Sequence, residues 1–204
     1  MRTRFTVVLG LVLTLGCASD PSVISHLEMA ARMSYQGFSF DRPPNRNWFL
    51  RRAEEHHTDV LLRRELQPAS PTHSFFASVS LSALERQPRS HAEFAELARQ
   101  TGQTVPYQTT RVSYEQEPMV RQGQWCVRLR SVDTVTGSPA APDAELTIVI
   151  RGFRCLHPAF PKGVLDFFYS ERGLAAELDP RLYEEGEEFL DGVRIDVAPD
   201  TPAS

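Results

Sequence analysis

The sequence predicts an α+β fold, a single domain built on a mainly antiparallel sheet of about six strands packed by one or two helices per face. Three observations lead there. The chain has 204 residues with 41% hydrophobic and 24% charged content, which suits one domain with one core. Runs rich in Val, Ile, Thr, Tyr and Phe, broken by Pro and Gly turns, recur through it. Only two segments, one opening at Ser90 and one at Asp179, carry clear helical start signals.

The charge balance narrows the function classes. With 22 Lys plus Arg against 26 Asp plus Glu, the formal charge is -4, so there is no basic footprint for gripping nucleic-acid phosphates. All of the basic residues except Lys162 are arginines, a bias that carries no functional reading by itself.

The first sixteen residues read as a removable secretion signal. Arg2 and Arg4 precede the apolar run Phe5 to Leu15, which is far shorter than the roughly 20 residues of a membrane-spanning helix. Thr14, Leu15, Gly16 and Cys17 then resemble the lipobox of bacterial lipoproteins, departing from it at Thr14, where Leu is commonest. The resemblance implies a thiol acylated at Cys17, which becomes the new N-terminus, with the multiple chains that stable anchoring takes. Ala18, rather than Asp, follows the cysteine, and by similarity to the sorting rule of enteric bacteria this favours an outer-membrane anchor facing the periplasm. The alternative is an ordinary signal peptide cut near Ala18 with Cys17 discarded. Loss of Arg2 and Arg4 takes the formal charge from -4 to -6.

Residues 17–34 are expected to be the acylated N-terminus with a tether or short helix, since Asp20 and Pro21 suit an N-cap and N1 ahead of Val23, Ile24, Leu27 and Ala31. The α+β domain spans 35–196 and a disordered tail 197–204. Within the domain, Tyr35 to Phe40 reads as a strand, followed by a turn at Pro43, Pro44 and Asn45 and a second strand after Trp48. Thr58 to Leu66 and His73 to Ala83 are further strands, the latter with Phe75, Ala77, Val79 and Leu81 on one side. Ser90 and Glu93 form a capping box for a helix striped with Phe94, Leu97 and Ala98, with Gly102 at its C-cap. Tyr107 to Glu115, Gln124 to Val132, Ala144 to Leu156 and Val164 to Arg172 are the remaining strands. Asp179 and Pro180 open a closing helix carrying Leu182, Tyr183, Gly186, Phe189, Leu190 and Val193 on one face. Gly186 either marks close packing on the sheet or breaks that helix in two.

Cys126 and Cys155 remain as an even pair, and disulfides persist in oxidising compartments. A hairpin turning at Pro139 to Pro142 would oppose residues with a constant index sum, and the two cysteines satisfy that sum. Directly opposed residues are close enough for a disulfide. The same register opposes Arg130 to Arg151, a mildly unfavourable pair unless a bulge separates them. Two free thiols or a metal pair are the alternatives.

Recognised catalytic and nucleotide-binding motifs are missing from the sequence, which lowers the expectation of an enzyme. His56 and His57, after Glu54 and Glu55, offer ligand types to a borderline metal, but neighbouring strand residues point to opposite faces. His157, with Asp166 and Ser170 nearby in sequence, supplies the letters of a hydrolytic set with nothing to fix its geometry. The same loop is a candidate partner surface through His157, Phe160 and Lys162, with Phe160 a stiff aromatic between prolines; the alternative folds Phe160 onto the sheet edge.

Gly37, Phe38, Ser39, Phe40, Pro43, Pro44 and Trp48 resemble the opening strand and turn of PsbP-type and DcrB-type proteins, and the order of elements over 35–196 is similar to theirs. The disulfide pair is not part of that pattern, and no position matches a family site motif. The resemblance implies a non-catalytic assembly or interaction module, and no cofactor is expected. The expectation is therefore a lipid-anchored envelope protein that binds a protein partner and no nucleic acid. The alternative is an envelope metal-binding or hydrolytic enzyme using His56, His57 or His157.

Overall fold

In the computed structural model, residues 23–26, 28–52, 59–100, 108–139 and 141–196 are described. Among them are eleven strands and two helices, in an α+β arrangement with two antiparallel sheets. In chain order these are β1 (Val23–Ser25), β2 (Arg32–Tyr35), β3 (Phe38–Asp41), β4 (Trp48–Arg52), β5 (Asp59–Arg64), β6 (Ser74–Ala83), α1 (His91–Gln100), β7 (Gln108–Arg121), β8 (Gln124–Thr136), β9 (Leu146–Leu156), β10 (Gly163–Gly173), α2 (Pro180–Gly192) and β11 (Arg194–Ile195). The large sheet runs β1-β4-β5-β6-β10-β9-β8-β7 and the small one β11-β3-β2.

Two expectations are corrected. Within the 17–34 segment the described residues form strands rather than a short helix or plain tether: Val23–Ser25 pairs with Phe49 to Arg51, and Arg32–Tyr35 pairs with β3. The pairing partners lie far along the chain or behind a tight turn, and their ladder hydrogen bonds outweigh a weak local helix signal. Tyr35 to Phe40 is not one strand but a hairpin, turned at Gln36 and at Gly37, whose φ of 85° is costly for other residues. Cys17 and the Phe5 to Leu15 run, together with His56, His57, Gly102 and the 197–204 tail, lie outside the described residues.

Strand alternation gives the large sheet two unlike faces. On one, Phe75, Ala77, Val79, Leu165, Phe167, Tyr169, Phe153 and the two cysteines join α2 and the small sheet in the main core. On the other, Val127 and Val164 meet Phe94, Leu97 and Ala98 of α1. One helix therefore sits on each face.

The helix signals read from sequence are in place. The Ser90 hydroxyl accepts from the Glu93 N–H at 3.2 Å, while the Glu93 carboxylate accepts from the Arg89 N–H at 2.7 Å, one residue before the reciprocal partner of an ideal capping box. Asp179 caps α2 by accepting from the Arg181 N–H at 3.0 Å, with Pro180 at the first helical position. Gly186 does not break α2. A Cβ there would lie 2.5 Å from Tyr169 Cδ1, so the missing side chain lets the helix lie against the tyrosine ring.

Cys126 and Cys155 are directly opposed in β8 and β9, with sulfurs 2.07 Å and Cα atoms 4.1 Å apart. No bulge separates Arg130 from Arg151 in that register.

Candidate functional site

His157 is 2% exposed, which removes it from the expected partner surface. Its Nδ1 accepts from the Ala159 N–H at 3.2 Å, so Nε2 carries the proton and donates to the Gly37 carbonyl at 2.7 Å. Both ring nitrogens are thereby occupied in pinning the β9–β10 loop to the β2–β3 turn. Phe160 packs at 4.7 Å on the same ring and is half-buried. Lys162 is exposed and donates to the Glu85 carbonyl at 3.0 Å. The His157, Asp166 and Ser170 set does not assemble either: Asp166 is engaged by Arg154, on the opposite face from the main core. Among the described residues no three His, Cys, Asp or Glu side chains are grouped to hold a metal.

The arrangement best suited to binding is the second face of the large sheet, of which α1 covers one corner among the described residues. Its floor follows from register. Phe168 lies opposite Gly152 on β9 and Ser78 on β6; one step along, Ser170 lies between Ile150 and Phe76; one step further, Arg172 lies between Ile148 and Ser74. Phe76, Ile148, Ile150 and Phe168 are all half-buried, as are Leu129 and Tyr114 on the neighbouring strands. A Cβ at Gly152 would sit 2.5 Å from Phe168 Cβ, so the glycine makes room for Phe168 on the sheet. A shallow groove runs beside the C-terminal end of α1, lined by Ala98, Leu129, Ile150, Gly152 and Phe168.

Two ion pairs edge this groove. Arg154 forks onto Asp166, with Nε to Oδ1 at 2.5 Å and Nη2 to Oδ2 at 3.1 Å, while Nη1 donates to the Ala98 carbonyl at 2.9 Å. The guanidinium thus also caps the carbonyl end of α1. Burial pushes the Asp166 carboxyl up from its ordinary range, and the charge and hydrogen bonds of Arg154 oppose that shift. Asp133, 1% exposed, accepts from Arg111 Nε at 3.0 Å and from the Ser131 hydroxyl at 2.5 Å. Arg172 is different: it has no ion pair among the described residues, and its Nε is buried without a hydrogen-bond partner. The hydroxyl of Ser74, directly opposite and 8% exposed, is buried and unpartnered as well.

A second, polar cleft lies on the other side, at the start of α2, where most charged groups pair with one another and the Glu171 Oε2 atom is buried without a hydrogen-bond partner. The fully buried Glu171 accepts from His73 Nε2 at 2.8 Å and from the Asp179 N–H at 2.8 Å. Although burial pushes the Glu177 carboxyl up, the Leu174 N–H and the hydroxyls of Thr72 and Ser70 hold it below its ordinary value. Arg64 bridges Glu185 at 2.9 Å, alongside the Trp48 indole N–H at 3.1 Å. These bonds tie α2 and its N-cap to β4, β5, β10 and the residue before β6.

The open face escaped the sequence reading, which followed the Phe75, Ala77 and Val79 side of β6. Its signal was present in β9, where Ile148 and Ile150 make the second side apolar too, and at Phe168 of β10.

No family model and no curated protein matches the chain. Among solved structures it is similar to cyanobacterial PsbP from Synechocystis, at 13% identity over 92% of this chain and 100% of that one, with a TM-score of 0.43. It is also similar to the Ran-binding protein Mog1p of Saccharomyces cerevisiae, at 14% identity over 78% of this chain and 90% of that one, with a TM-score of 0.36. PsbP is the family resembled by the Gly37 to Trp48 stretch. At these identities and scores no residue role or activity is carried across.

Proposed function

We propose that this protein is a non-catalytic envelope lipoprotein, anchored through Cys17 at the outer membrane facing the periplasm, that binds a protein partner with the open face of its large sheet. The observation that carries the binding role is the composition of that face. Half-buried Phe76, Phe168, Ile148 and Ile150 beside Arg172 match the aromatic and arginine enrichment of interface cores. The compartment is supported by the Cys126–Cys155 bond, since such bonds persist where thiols are oxidised.

The test has two parts. Cys17→Ala should move the protein from the membrane to the soluble periplasmic fraction, and unchanged membrane fractionation overturns the anchor. A photo-crosslinking residue at Ile150 or Phe168 in the anchored protein should capture one envelope protein. Equal capture from the exposed Glu184 on α2, or none from either face position, overturns the binding surface.

A further inference from the structure

We infer that the open face recognises an extended partner segment whose alternate side chains are apolar, apolar and then acidic, the acidic carboxylate docking on Arg172 and Ser74. This deepens the binding role assigned to that face and rests on it.

The argument begins with charge. Along this part of the face Asp166 is neutralised by Arg154 and Asp133 by Arg111, whereas Arg172 has no acidic partner among the described residues. An arginine beside a compensated apolar surface is an unmatched cation, and the complementary group is an anion. Hydrogen bonding then gives the position. Arg172 Nε and Ser74 Oγ are both buried and unpartnered, and their residues are directly opposed on β10 and β6. Buried polar atoms are satisfied in native structures by protein, water or ligand. Two orphans on directly opposed residues, one of them a guanidinium N–H, mark the end of the face that suits a carboxylate, with charge-assisted bonds stronger than neutral ones.

Spacing specifies the rest of the occupant. Phe168, Ser170 and Arg172 project from the same face of β10 at every second residue, flanked in turn by Gly152, by Ile150 with Phe76, and by Ser74. Two residues of strand advance about 6.6 Å. The same period separates like-facing side chains of an extended peptide, so one strand-like segment matches all three steps.

The probe is the peptide acetyl-Phe-Ser-Phe-Ser-Glu-amide, compared with its Glu-to-Gln form by calorimetric titration of the purified protein. On the wild-type protein the Glu peptide should bind about ten to a hundred times more tightly than the Gln peptide. Arg172→Gln should abolish that ratio while Arg172→Lys retains part of it. Ile150→Asp should weaken both peptides. Equal affinities on the wild-type protein, a ratio that survives Arg172→Gln, or binding of neither peptide would overturn the inference. Equal affinities that are both lost in Ile150→Asp leave the open face as the binding surface. Binding indifferent to Ile150→Asp counts against both readings.

Discussion

Arg130 and Arg151 are directly opposed across β8 and β9, and their charged ends turn away from one another. Arg130 reaches outward to Glu115 on β7 at 3.8 Å, while Arg151 lies over the Tyr183 ring of α2 at 4.5 Å. Each guanidinium has its own seat, so the sheet keeps the register that joins the cysteines without a bulge. The two seats differ in worth. An exposed ion pair contributes little, whereas an arginine over an aromatic ring contributes about 0.5 to 1 kcal/mol and covers apolar surface. Arg130→Thr should therefore be neutral or slightly stabilising, because it removes a like-charge pair, and Arg151→Thr should destabilise by about 1 kcal/mol. Urea midpoints compare them; equal losses would mean that the ring contact contributes nothing.

Gly186 sets a conflict between helix propensity and packing. In an exposed helix, Gly→Ala gains about 1 kcal/mol. Here the new methyl would meet the Tyr169 ring at 2.5 Å, and that ring is fully buried, with its hydroxyl bonded to Glu187 at 3.0 Å. Gly186→Ala should destabilise by about 1 to 3 kcal/mol. A raised melting temperature for this variant would show that α2 shifts at no cost.

The disulfide closes a stretch with a sequence separation of 29. Cross-links of this kind contribute about 2 to 4 kcal/mol. Replacing both cysteines by alanine should lower stability by that amount and retain the β8–β9 register, since the hairpin also carries an isolated bridge between Ser138 and Ala141. Hydrogen exchange of the β9 amides reads the register, and loss of protection throughout β9 would show that the bond, rather than the ladder, holds it.

That register was legible in the sequence because two independent marks agreed, the proline-rich turn and the positions of the two cysteines. The start of α2 was legible for a similar reason, with Asp179 and Pro180 fixing one residue between them. β1 was not, because Val23–Ser25 is a strand only through its pairing with Phe49 to Arg51, and no local pattern encodes a partner so far along the chain. The β2–β3 hairpin was hidden by alternation that continues through its turn, where Gly37 alone marked the bend. The candidate site was hidden by its own composition. Serines at 74, 78, 80 and 82 make one side of β6 look solvated, yet the same face carries Ile148 and Ile150 on β9 and Phe168 on β10, and only the assembled sheet brings these residues together.

Tyr183 gives the fold an alkaline limit. Burial, followed by the nearby Glu171 carboxylate, raises its hydroxyl from the ordinary tyrosine range to about 12. A group whose folded value is raised contributes stability below its unfolded value and loses that contribution as pH rises through the folded one. Stability should therefore fall between about pH 10 and pH 12; Tyr169, raised further by burial and Glu187, adds to the fall, and Tyr183→Phe should lessen its slope. Phenolate absorbance checks the assignment: one of the two late-titrating tyrosines, Tyr169 and Tyr183, should vanish in the variant, and an unchanged titration would show that Tyr183 is not raised.

The Arg154 and Asp166 pair is the most demanding contact beneath α1, because both side chains lie within the protein, at 10% and 12% exposure. Desolvation already pushes the Asp166 carboxyl up, and Arg154 opposes it most, with the Ser82 hydroxyl second. Arg154→Met should then cost about 3 to 5 kcal/mol, most of it from leaving a buried carboxylate uncompensated. The sign of its pH dependence follows from linkage. With Arg154 gone the folded-state value rises further above the unfolded one, so protonation favours the folded form and the variant should regain stability as pH falls. Adding Asp166→Leu removes the buried charge and should recover most of the loss at neutral pH, leaving the deficit of the Ala98 carbonyl that Arg154 caps at 2.9 Å. Urea unfolding of both variants at pH 5 and pH 8 decides the point. Parallel losses at the two pH values, or a double variant no better than the single one, would mean that the arginine contributes through packing on α1 rather than through the carboxylate.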